Sequence, residues 1–124
     1  MVASLKVNLH CHSNLSDGEL SPEALAALLA RSGVQVASLT DHDTVEGVAA
    51  FREILESRGI RHITGLELTA GDGGPLHLLA YGFDPESPAL AKALQRSRQA
   101  PDGSGLPVED AIALIHRAGG RAFL

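Results

Sequence analysis

The sequence predicts an α/β fold with a mainly parallel sheet and helices packed outside it, an arrangement shared by α/β barrels and doubly wound sheets. Short apolar runs of strand length alternate with segments whose apolar residues recur at helical spacing. Several of those segments open on a recognisable cap. Hydrophobic residues make up 44% of the 124-residue chain against 20% charged, enough to bury the core of one domain and too much for a disordered tail.

Residues 5–9 alternate as a strand, with Leu5, Val7 and Leu9 on one face and Asn8, His10 and His12 on the other. After a polar loop, Ser21-Pro22 reads as the N-cap and first position of a helix. Leu20 staples to Leu25, the buried stripe is Leu25, Leu28 and Leu29, and Gly33 stops the helix. Residues 34–39 form a second apolar strand. Asp43-Thr44-Val45-Glu46 resembles a capping box that opens a helix with Val48, Phe51 and Leu55 inward, ended by Gly59. Residues 60–68 and 76–81 read as two further strands around the turn-rich residues 70–75. Ser87-Pro88 starts a helix running to about Gln99, residues 100–107 are a Pro/Gly/Ser connection, and residues 108–118 form a helix with Ile112 and Ile115 inward. Residues 121–124 read as the start of another strand, broken off within the element, so the expectation is the N-terminal part of a longer protein. A complete α/β barrel takes ~250 residues, of which this length would hold roughly the first half.

Composition narrows the partners. No apolar run approaches the ~20 residues that cross a bilayer, and the first residues lack the layout of a signal peptide, so the chain reads as cytoplasmic with no membrane partner. A formal charge of −5 supplies no broad field for duplex DNA. The single cysteine, Cys11, excludes an internal disulfide and any cysteine-based zinc site, so a bound metal must take imidazole and carboxylate ligands. Cys11 itself reads as a small buried residue.

Chemistry concentrates at strand ends. His10 and His12, two apart on a strand, project to the same side and can grip one cation. Asp17 lies in the loop beyond them, either as an ordinary Asp-Gly turn or as a carboxylate folded back over the two imidazoles. Thr40-Asp41-His42-Asp43-Thr44 leaves the second strand where α/β folds set their sites. There Asp41 reads as a metal ligand or as a residue orienting an imidazole, and Asp43 as a helix cap. Glu67 sits among apolar neighbours, where a carboxylate needs a cation or a hydrogen-bonded partner. His77 reads equally as a core histidine or a ligand. His62 and His116 read as surface residues, Asp72 and Asp84 as turn residues, and Arg96 and Arg98 as a solvated face in preference to an anion site.

Taken together, His10-x-His12, Ser16-Asp17-Gly18, Thr40-Asp41-His42-Asp43-Thr44, Gly65-x-Glu67 and the strand-borne His77 resemble the polymerase and histidinol phosphatase (PHP) superfamily. The wording is most similar to its small metal-dependent phosphoesterases, which include 3′,5′-nucleotide bisphosphate phosphatases and 5′ to 3′ exoribonucleases acting on short RNA. The resemblance implies that residues 1–124 are the N-terminal part of a PHP domain, a distorted (βα)7 barrel with two or three divalent ions (manganese, zinc or iron) at the C-terminal ends of its strands. It implies that His10 and His12 hold the first ion, that Glu67 bridges it to a second also held by His77, and that Asp17 and His42 hold a third. A later Ala-His-Pro and Asp-x-His that complete the family's set lie beyond this sequence, and the stretch after the fourth strand is shorter than in many relatives.

The function so implied is hydrolysis of phosphate esters of nucleotides or short RNA through a metal-activated water, with the ions supplying the attraction for phosphate that the acidic surface lacks. The alternatives are a histidinol-phosphate phosphatase of the same superfamily, which Asp17 disfavours because that branch more often resembles a histidine there, and a non-catalytic metal-binding module.

Overall fold

Serine followed by proline starts two of the helices in this computed structural model, which describes residues 4–71 and 75–124. Ser21 accepts a hydrogen bond from Ala24 N–H at the start of α1 (Pro22–Arg31), and Ser87 accepts one from Leu90 N–H at the start of α3 (Pro88–Gln99). Both caps satisfy amides that no helical carbonyl can reach. The remaining helices are α2 (Val48–Ser57) and α4 (Val108–Arg117). The strands are β1 (Val7–Asn8), β2 (Val36–Ala37), β3 (Arg61–His62), β4 (Gly65–Ala70), β5 (Leu76–Tyr81) and β6 (Arg121–Phe123). The turn expected at Asp72 lies outside the described residues.

The chain is an α/β protein, with β1-β2-β3 forming a parallel sheet and β4-β5-β6 an antiparallel one. The expectation of mainly parallel pairing therefore holds for half of the strands. Five residues between β4 and β5 are too few for a crossover, which needs a dozen or more, so those strands must fold back as a hairpin. The strand expected over residues 60–68 is also divided. β3 stays beside β2, whereas β4 leaves for the second sheet and keeps one parallel bridge, His42 to Glu67, to the chain beyond β2. The absence of a side chain at Gly65 permits that change of course, since a Cβ there would collide with Ser38 Oγ and the Leu39 carbonyl.

Two apolar clusters fill the interior. Leu25, Ala26 and Leu29 of α1 meet Phe51 and Leu55 of α2 over Ala37 and Leu39. Leu66, Leu68, Leu78 and Ala80 of the hairpin meet Leu90 and Leu94 of α3 and Leu114 and Ile115 of α4. Leu28 falls outside the stripe assigned to it and is 41% exposed, as are Leu5 and Val7 at 63% and 44%, because β1 is the edge of its sheet. Among the described residues no helix is long and apolar enough to cross a membrane.

Two polar residues depart from expectation. Asp43 does not cap α2, whose N-cap is Gly47 with no side-chain bond. His62, expected at the surface, is half-buried. Its ring stands edge-on to Phe51 at 5.9 Å, and its Nε2 is buried without a hydrogen-bond partner. Burial, helped by Arg52 and opposed by Glu56, lowers its pKa below the ordinary 6.5. The unfolded chain therefore takes up the proton first, so stability should fall as pH drops from 6.5 toward the lowered folded value. His62→Phe should flatten that part of the melting-temperature profile relative to the unaltered chain. Parallel profiles would disprove the assignment.

Candidate metal centre

His10 and His12 leave the end of β1 on the same side, and both reach Glu67: His10 Nε2 lies 2.7 Å and His12 Nε2 3.1 Å from Oε1. Cys11 between them faces away, packed against the α1/α2 cluster with its thiol donating to the Ser38 carbonyl at 3.3 Å. Burial, with a contribution from Asp41, pushes the thiol up to about 11, which leaves it protonated and a poor nucleophile.

The loop after His12 folds back on itself. Gly18 N–H donates to the Ser13 carbonyl at 2.8 Å, and a Cβ on Gly18 would strike the His12 carbonyl. This approach swings Asp17 over the imidazoles, with Oδ1 3.4 Å from His12 Nδ1 and Oδ2 3.2 Å from His42 Nε2. Asp41, expected to bind metal or to orient an imidazole, instead pins this loop. It is 2% exposed and accepts from Ser13 N–H at 2.6 Å, Ser13 Oγ at 2.6 Å and Ser16 Oγ at 2.7 Å.

His42 stacks on His12 with ring centroids 4.6 Å apart, and His77 from β5 meets it edge-on at 5.1 Å. Both approach Glu67 Oε2, at 3.9 Å from His42 Nδ1 and 3.5 Å from His77 Nδ1. Glu67 thus faces four imidazoles from within a strand that is buried along its whole length. Three groups have donor atoms close enough to share an ion: His10, His12 and Glu67; His12, Asp17 and His42; His42, Glu67 and His77.

The donor chemistry suits a divalent cation. Imidazole nitrogens and carboxylate oxygens are the ligands of zinc, manganese and iron(II), and His12 Nδ1 is buried with no hydrogen-bond partner. His12 and His42 each belong to two groups, yet a neutral imidazole offers one lone pair. No more than two of the three groups can therefore be complete at once.

Beside the centre, sequence reasoning misses Tyr81 altogether and reads Arg98 as part of a solvated face without its backbone contact. Tyr81 donates to the Leu9 carbonyl at 2.6 Å, tying β5 to the segment that presents His10, and burial, with Glu67 and Cys11, keeps its phenol protonated by raising its pKa. Arg98 is exposed but not free, because its Nη1 donates to the Asp43 carbonyl at 2.7 Å. Neither a lone tyrosine at a strand end nor an arginine on a polar helix face carries a sequence signal. His116 is exposed on α4, as expected, and Asp84 accepts from Glu86 N–H in a turn.

Residues 8–99 match the family model described as the PHP domain. A 5'-3' exoribonuclease of Haemophilus influenzae is 33% identical over 108 residues, which cover 86% of this chain and 39% of that protein. A 3',5'-nucleoside bisphosphate phosphatase of Chromobacterium violaceum is 35% identical over 94 residues, covering 75% of this chain and 33% of that protein. The chain thus spans well under half the length of these relatives. An amidohydrolase structure from Chromobacterium violaceum, with bound sulfate, has the same fold, with a TM-score of 0.82 at 24% identity over 94% of this chain and 65% of that one.

Asp41→Ala would leave three donors of the Ser13–Ser16 loop without their acceptor, at a cost of about 3 kcal/mol. Thermal or urea unfolding should register that loss, and unchanged stability would refute the role of Asp41 as the loop's anchor.

Proposed function

This chain belongs to the PHP domain family, and from that premise we propose that it is a metal-dependent phosphoesterase acting on nucleotides or short RNA. The observation that carries the reading is the buried carboxylate of Glu67 facing His10, His12, His42 and His77, with Asp17 closing the other side of His12 and His42. The names of the relatives supply the substrate class. Residues 1–124 then form the N-terminal part of a (βα)7 barrel, and the protein works in the cytoplasm.

His10, His12 and Glu67 would hold one divalent ion, manganese, zinc or iron(II). His42, His77 and the second oxygen of Glu67 would hold another, and Asp17 remains as a carboxylate donor beside both His12 and His42. Ions bound there acidify a water and neutralise phosphate oxygens during in-line displacement. The chain's own part is geometric. Asp41 fixes the loop that aims Asp17, Tyr81 fixes the segment that aims His10, and the β4 backbone holds Glu67 where both its oxygens face imidazoles. With a formal charge of −5, the protein leaves the attraction of a phosphate largely to the ions.

The test is phosphate release from a 3',5'-nucleoside bisphosphate and mononucleotide release from a 5'-phosphorylated short RNA with manganese supplied. Activity should vanish on chelation and return with the metal. His10→Ala and Glu67→Ala should abolish turnover and reduce bound metal, while His116→Ala should do neither. Metal uptake without turnover on either substrate, even in a protein extended to the length of the relatives, would replace the enzyme by a metal-binding module, and equal activity in all three variants of that longer protein would dismiss the site.

A further inference from the structure

Asp41 and Asp43 flank His42 in sequence, and their carboxylates are held by different parts of the molecule. Asp41 is committed to the loop that carries Asp17. Asp43 instead accepts Thr69 N–H through Oδ1 and Thr69 Oγ1–H through Oδ2, both at 2.7 Å. That is a two-point grip on β4, two residues beyond Glu67. Thr69 is also the residue paired in register with His77 on β5, and it is 4% exposed. One link therefore joins the segment bearing His42 to the hairpin bearing Glu67 and His77.

The link is braced from both sides. Asp43 holds the left-handed backbone conformation, φ 52°, which residues other than glycine seldom adopt and which aspartate tolerates better than most. Its amide donates to the Glu67 carbonyl at 3.1 Å, and its own carbonyl receives Arg98 Nη1. On the partner side, Ser97 Oγ donates to the Thr69 carbonyl at 2.9 Å, so successive residues of α3 hold both members of the pair. A turn that merely changed chain direction would need none of the side-chain contacts.

We infer that Asp43, through its grip on Thr69, is a positioning residue that sets His42 against Glu67 and His77 and thereby fixes the affinity of that side of the centre for a divalent ion. The inference rests on the metal reading above, and it concerns a residue whose sequence pattern suggested a helix cap.

Thr69→Val removes the hydroxyl arm with little change of shape, Thr69→Ser restores it, and Asp43→Asn keeps a residue at ease in the left-handed conformation while removing the charge. In titrations of the metal-free full chain with manganese(II), Thr69→Val and Asp43→Asn should bind about tenfold more weakly, and Thr69→Ser should bind like the unaltered chain. In the metal-free state, NMR signals of the His42 and His77 rings should shift in Thr69→Val while those of His10 stay. A lowered melting temperature with unaltered manganese affinity and unaltered ring signals would reduce the link to a structural role and overturn the inference. Failure of the unaltered chain to bind manganese would overturn the metal reading instead, and the ring signals would then decide whether Asp43 positions His42.

Discussion

The backbone bridge between His42 and Glu67 is the constraint on which the rest of the molecule depends. Asp43 N–H donates to the Glu67 carbonyl and Glu67 N–H to the Asp41 carbonyl, each at 3.1 Å, and this pair of bonds joins the parallel sheet to the antiparallel one. Without it, His10, His12 and His42 would belong to one sheet and Glu67 and His77 to the other. Each side of the bridge is then reinforced by a carboxylate flanking His42, so the histidine at the middle has little freedom to turn.

A second constraint is electrostatic. Glu67 is a carboxylate drawn into a buried strand, where an unpaired charge is costly, and the groups around it are imidazoles that neutralise it fully only when protonated. A divalent cation relieves the same charge at any pH where imidazole is neutral. The arithmetic of lone pairs limits how many such ions these six side chains complete, which gives the parts of the longer relatives that this chain does not span a chemical task.

Legibility followed the range of the interactions. Caps written within four residues, at Ser21 and Ser87, were readable because local chemistry decides them. The six side chains of the centre were readable as a set because their spacing resembles a family pattern, and the structure gathers all of them. Asp43 was misread because its backbone neighbours suit a capping box, whereas a partner 26 positions away claims its carboxylate. The half-burial of His62 is hidden for the same reason, since Phe51, whose ring it meets edge-on, lies on another element. The break between β3 and β4 was hidden in a continuous apolar run, and the glycine that permits it is conspicuous only beside Ser38. Asp41 lies beside the centre as expected, but its partners are Ser13 and Ser16 of the loop and not an imidazole.

The β4–β5 hairpin has a consequence for the order in which the centre assembles. Glu67 and His77 lie on antiparallel strands adjacent in the chain, whereas His10 meets Glu67 across 57 positions of chain. Contacts close in sequence form earlier and at less entropic cost than remote ones. The Glu67–His77 side of the centre is thus built from local contacts, and a full ligand cage exists only once the long loop has closed. A cation that binds only the closed cage would act on the finished molecule by mass action, raising its stability with the logarithm of the cation concentration.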